Sequence, residues 1–166
     1  MLGRSLWLSA GAALCSLSAC APHPAAPSAR DSYNYDLPFK ELMEHVVTPS
    51  AFGVWRAVGT RATLKGVQDI APRTDAAWVE VENSAATVTE AGNLLLLPGR
   101  VRAPESAWRA YVQRLVQAGQ HAKAAAEAKN AEQLFAAGTE LELACSACHA
   151  QFMPGGEGGP PPAPKP

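Results

Sequence analysis

Two thiols three residues apart, with an imidazole directly after the second, are the side chains of this sequence with the most chemistry to offer. They stand in Cys145-Ser146-Ala147-Cys148-His149, near the C-terminal end of a 166-residue chain. C-x-x-C-H is the attachment signature of a c-type haem. Each thiol adds across one porphyrin vinyl group, and the imidazole ligates the iron from the face already anchored. On a helix Cys145 and Cys148 share a face and His149 stands four residues beyond Cys145. The three side chains therefore converge on one edge and one face of a flat ring.

Other chemistries need neighbours that this stretch lacks. A redox dithiol of thioredoxin type sits where a strand leads into a helix, with the thiolate at the positive helix end. Here the motif comes late in a helical pattern. A structural zinc site asks for four ligands, usually from a second paired set. No second C-x-x-C exists, and the other histidines are scattered singly. A disulfide between two cysteines three apart on a regular helix has poor geometry.

The elements that must position this motif read as helices. Alanine and leucine are many, aromatics make up only 7%, and β-branched runs are scarce, a composition that favours helix. The 14 basic and 15 acidic residues nearly cancel, so nothing points to nucleic acid or to a basic membrane-binding face. The length suits one domain with extensions.

Residues 1–19 read as an export signal, with Arg4 before an apolar stretch from Leu6 to Leu17 that is short for a bilayer span. It ends in Leu17-Ser18-Ala19-Cys20, which resembles the lipobox of bacterial lipoproteins. That resemblance implies that Cys20 is diacylated and becomes the first mature residue. Ordinary cleavage after Ala21 is the alternative, with Pro22 against it. Either route places the protein in the periplasm, and the lipobox adds an anchor in a bacterial membrane. Cys15 leaves with the signal, Cys20 takes lipid, and Cys145 and Cys148 take haem, so no thiol remains for a structural disulfide.

Residues 20–36 read as an extended, unpacked tether, with Pro22, Pro24 and Pro27 among small residues. The domain then runs over 37–153. Helix 1 is expected from about Leu37 to Gly59, with Phe39, Met43, Val46 or Val47, Ala51, Val54 or Trp55, and Val58 on its apolar stripe. Pro49 cannot bond the carbonyl of His45, which predicts a kink or short break. Residues 60–72 read as a connection, with a turn of helix over Leu64 to Ile70. Helix 2 opens at Thr74 as N-cap and carries Trp78, Val81, Ala85, Val88, Gly92 and Leu95 until Pro98-Gly99 stops it.

Helix 3 opens at Pro104-Glu105, with Trp108, Tyr111 or Val112, Leu115, Gly119, Ala122 and Ala126 on its stripe. Helix 4 follows Asn130, whose partner Gln133 sits where a capping box wants it. Its stripe is Leu134, Gly138, Leu141, Cys145, Cys148 and Phe152, so the two thiols are in register with the core face. Residues 154–166 alternate Gly-Gly pairs with a proline run, and this tail reads as disordered.

Four amphipathic helices with C-x-x-C-H close to the C-terminus resemble the class II cytochromes c, the cytochrome c′ family, over about residues 37–153. Class I cytochromes c carry the motif near the N-terminus instead. The resemblance implies an all-α antiparallel four-helix bundle, up-down-up-down, around one covalent haem c. Carried over residue by residue, Cys145 and Cys148 are the thioether attachments and His149 the proximal iron ligand. The family often follows its motif with Tyr and then Arg or Lys, where this chain has Phe152 and Met153. The basic neighbour that tunes the proximal histidine in gas-binding members is missing, which counts against a nitric-oxide-binding role.

The sixth coordination position faces helix 1 in that family, vacant behind an apolar side chain or filled by methionine. Met43 is the candidate here, on the stripe of helix 1; as a core filler it would be ordinary. His45, two residues on, is the lesser candidate, on a different face of a regular helix unless the Pro49 break rotates it. His121 and His23 read as solvent-facing, and Trp55, Trp78 and Trp108 as core. The functional expectation is a monohaem carrier of single electrons, not an enzyme, with periplasmic redox proteins as partners. Family members often dimerise, which makes a homodimer a further implied partner. The competing expectations are a five-coordinate gas-binding protein and a haem-free scaffolding lipoprotein.

Overall fold

The computed structural model describes residues 33–153, which are mostly helical, with four helical rods and one two-stranded sheet among them. The leader with Cys20, His23, most of the tether and the C-terminal tail lie outside the described residues. Contacts at the junction of tether and domain reach the connection that contains Pro98 and Arg100. The Tyr35 hydroxyl donates to the Pro98 carbonyl at 2.6 Å, and the buried Arg100 side chain bonds the Leu37 carbonyl at 3.3 Å.

The first rod joins α1 (Phe39–Leu42), a π-helical turn (Met43–Val47) and α2 (Thr48–Trp55). It is shorter than the expected helix, and it does not break at Pro49. The chain instead widens just before the proline: the Thr48 N–H bonds the Met43 carbonyl, five residues back. In an α-helix the Pro49 ring would crowd the His45 carbonyl. One extra residue in the turn relieves that clash.

The connection expected over 60–72 is largely a β-hairpin, not a loop with a turn of helix. Strands β1 (Gly59–Thr63) and β2 (Gly66–Ile70) pair antiparallel, from Gly59↔Ile70 to Thr63↔Gly66. Gly66 has φ of 114°, a conformation that only glycine adopts freely, and it closes the tight turn after Lys65. The Thr63 hydroxyl bonds the Gly66 carbonyl at 2.8 Å. Almost every residue of the hairpin is exposed, so it adds nothing to the core.

Helix α3 (Asp75–Leu95) starts as expected, with Thr74 Oγ1 accepting the Ala77 N–H at 3.1 Å. Trp78, Val81, Ala85, Val88, Gly92 and Leu95 are all buried. On α4 (Glu105–Glu127) the buried stripe runs through Val112, with Tyr111 half-buried at its edge. Lys129 takes φ of 51° and the Asn130 N–H reaches back to Ala125 at 2.9 Å, which closes α4. Asn130 then caps α5 (Ala131–Phe152), its Oδ1 accepting the Gln133 N–H at 3.0 Å.

Side chains show which ends meet. Lys129 pairs with Asp75 at 2.8 Å, bringing the end of α4 to the start of α3. At the opposite end, Trp108 Nε1 donates to the Leu95 carbonyl at 3.0 Å. Tyr111 bonds Gln151 at 3.1 Å, so the start of α4 lies by the end of α5. The first rod packs on α3 and α5, with Trp55 Nε1 donating to the Gly138 carbonyl at 2.8 Å. The core between the rods is alanine-rich, with Leu42, Val54, Trp108, Leu134 and Leu141 its largest sealed members.

Candidate functional site

The C-x-x-C-H segment occupies the last two turns of α5. The helix passes from fully buried at Leu141 and Ala144, through half-buried at Cys145 and Cys148, to exposed at His149. The motif thus lies where the core stripe comes out at the end of the molecule. Both cysteines are free thiols.

These residues border an apolar groove. Met43 and Val47 from the first rod, Leu95 from α3, Tyr111, Val112 and Leu115 from α4, and Ala144, Cys145, Cys148 and His149 from α5 line it. Met43 is therefore brought to the groove that the motif borders. His45 is not: it is exposed on the π-helical turn and takes no part in the lining. Met153 is exposed beyond the end of α5. His121 is exposed as expected, with its Nδ1 2.6 Å from a carboxylate oxygen of Glu140. Trp78 and Trp108 are buried, whereas Trp55 is half-buried.

Burial governs the thiols. It pushes Cys145 up to about 11, with the neighbouring Cys148 and Glu142 adding to the rise. It also raises Cys148, where the charge of Arg102 opposes it. A thiol pair so desolvated, at the carbonyl end of a helix, is a poor nucleophile near neutral pH. The local physics opposes redox-dithiol chemistry and leaves an apolar face for a bulky partner.

The residues match a covalent haem in kind. Two thiols and an imidazole share one helix end, a thioether stands on a second wall, and the lining is almost wholly apolar. Among the described residues no three His, Cys, Asp or Glu side chains form a group able to hold a metal ion. One imidazole with one thioether suffices only where a macrocycle supplies the remaining donors. In volume the groove is narrow, about 30 Å³, room for water-sized molecules only. Seating a porphyrin there requires the walls to part.

Sequence reasoning missed the surroundings of the motif. Phe152 stacks edge-on against Trp108 at 4.9 Å, and Phe39 lies 5.8 Å from Trp108. Arg102, from the α3–α4 connection, sits with its guanidinium carbon 4.4 Å from the centre of the Phe39 ring. No periodicity marks a loop arginine, so only the tertiary structure brings this cation near Cys148. No helix among the described residues is long and apolar enough to cross a membrane. Comparison with known proteins returns no matching family model, no matching curated protein and no matching solved structure.

Proposed function

We propose that this chain is a monohaem c-type cytochrome that carries single electrons. The observation that carries the reading is the convergence of Cys145, Cys148 and His149 on an apolar groove whose other wall presents Met43. The rods are then an antiparallel four-helix bundle, up-down-up-down, with one haem c in its interior. Cys145 and Cys148 hold the haem as thioethers and His149 is the proximal ligand. Met43 is the sixth ligand; His45, exposed on the outside of its turn, is not. The export signal and Cys20 place the protein in the periplasm on a lipid anchor, among redox partner proteins.

The haem, when bound, supplies a one-electron couple between ferrous and ferric iron. The chain's own residues do the rest. Val47, Leu95, Val112 and Leu115 keep water from the groove, which disfavours the more charged oxidation state. The exposed end of α5 leaves one edge accessible for electron exchange. Arg102 adds a positive charge beside the second attachment point. No side chain is required to move a proton, consistent with a carrier and not an enzyme.

Optical spectra of both oxidation states test this reading. The ferric wild type is expected to be low-spin with a high potential for a c-type haem, because a thioether favours ferrous iron. Met43→Ala should turn it high-spin, lower the potential and open the iron to carbon monoxide. A five-coordinate wild type would make Met43 a core residue and support gas binding instead.

A further inference from the structure

The first rod contains one residue more than an α-helix needs to join its ends, and that residue decides which side chain meets the groove. Successive residues of an α-helix are turned by about 100°. Set Val54, fully buried on α2, at zero and count back in regular steps. Val47 then falls at about 20°, Met43 at about −20° and Leu42 at about −120°. A regular helix would put Met43 in the middle of the core face and Leu42 on the surface. The structure instead buries Leu42 and shifts Met43 to the edge of the core. Leu42 is 1% exposed and Met43 is half-buried in the groove lining.

The π-helical turn accounts for the whole difference. One extra residue moves everything before it into the next angular slot, so Leu42 goes to about −20° and Met43 to about 80°. Two features hold that turn open. Pro49 has no N–H to return to the His45 carbonyl, and its ring would crowd that carbonyl in an α-helix. The Ser50 hydroxyl bonds the Val46 carbonyl at 2.6 Å, occupying a further acceptor of the widened turn. Glu44 and His45, on the outer side, are exposed and carry none of the packing.

We infer that Pro49 is a positioning residue: by holding the π-helical turn it rotates Met43 out of the core and into the groove bordered by His149. The consequence for iron ligation rests on the haem reading above. The rotation itself is a property of the rod and can be measured apart from it. Relaxing the turn to α-helix, as Pro49→Ala permits, carries Met43 toward the core and Leu42 toward solvent. Deleting Glu44 together with Pro49→Ala removes the extra residue, so a regular helix then presents Leu42 and Met43 as the wild type does.

The test combines labelling of a thiol at position 42, read by peptide mass spectrometry on the full-length protein as isolated, with spectroscopy of its haem. A cysteine placed by Leu42→Cys should label slowly in the parent and at least about tenfold faster with Pro49→Ala, because local burial sets the opening required. Adding the Glu44 deletion should restore slow labelling. The Met43-dependent low-spin spectrum should weaken with Pro49→Ala and return with the deletion. Slow labelling in all three backgrounds would overturn the inference, as would a labelling change that the deletion fails to reverse. A wild type with five-coordinate iron would sink ligation by Met43, while the labelling result would still decide the rotation.

Discussion

The contact between α3 and α4 and the groove bordered by the C-x-x-C-H segment are built on opposite terms. Between α3 and α4 the backbones approach closely. A Cβ on Gly119 would stand 2.6 Å from Thr89 Oγ1, 3.0 Å from the Thr89 nitrogen and 3.2 Å from the Ala85 carbonyl oxygen. Around the groove the lining is mixed: Val47, Leu95, Val112, Leu115 and Ala144 are buried, whereas Met43, Tyr111, Cys145 and Cys148 are only half-buried. One region leaves no room for a side chain. The other keeps part of its apolar lining at an edge where something further can cover it.

The sharpest way to break this contrast is to add bulk where the backbones meet. Gly119→Val should cost about 3 kcal/mol by overpacking, since backbone atoms cannot step aside as a flexible side chain does. Chemical denaturation followed by circular dichroism measures it. A cost near zero would show that α3 and α4 can separate freely. On the groove side Met43→Ala should cost only about 1 kcal/mol in the haem-free protein, because a half-covered side chain loses about half its transfer energy. A loss as large as that of Gly119→Val would mean that Met43 is a core residue.

The thiols give the groove a pH signature of its own. Cys145 ionises near 9.0 when free and at about 11 in the folded chain. Below pH 9 both states hold the proton and the group has no effect. Above it the unfolded chain releases the proton first, so stability falls between pH 9 and 11. Thermal melts of haem-free protein should show this decline, and Cys145→Ala should lessen it, leaving the part due to Cys148, whose thiol is also raised by burial. The smallest effect is expected in the hairpin. Leu64 is wholly exposed, so Leu64→Ser should change stability by less than about 0.5 kcal/mol. A larger loss would mean that the hairpin tip packs on something.

Much of this architecture was legible because helix signals are local. Thr74 and Asn130 are caps whose side chains reach N–H groups three residues on, and the stripes of α3 and α5 follow a period set by helix geometry alone. The hairpin was not legible. Its strands are exposed on both faces, so Thr60 to Ile70 shows no apolar alternation, and the signal that remained was Gly66 at the end of a tight turn. Pro49 marked the right place in the first rod but not the form, because a kink, a break and a widened turn all relieve the same clash. In the site, Cys145, Cys148 and His149 could be named from spacing, and Met43 from its stripe. Arg102 comes near Cys148, and Trp108 reaches Phe152 beyond the motif, through tertiary packing that no local pattern encodes.

The proposed function stands or falls with covalent attachment of haem at Cys145 and Cys148. Acid–acetone extraction of purified wild type and of the Cys145→Ala, Cys148→Ala and double variants tests it most directly. The wild type should keep its chromophore on the protein, each single variant should retain at most one thioether with reduced yield, and the double variant should give up all of its haem. A wild type that is colourless after extraction, or a double variant that still holds covalent haem, would contradict the account.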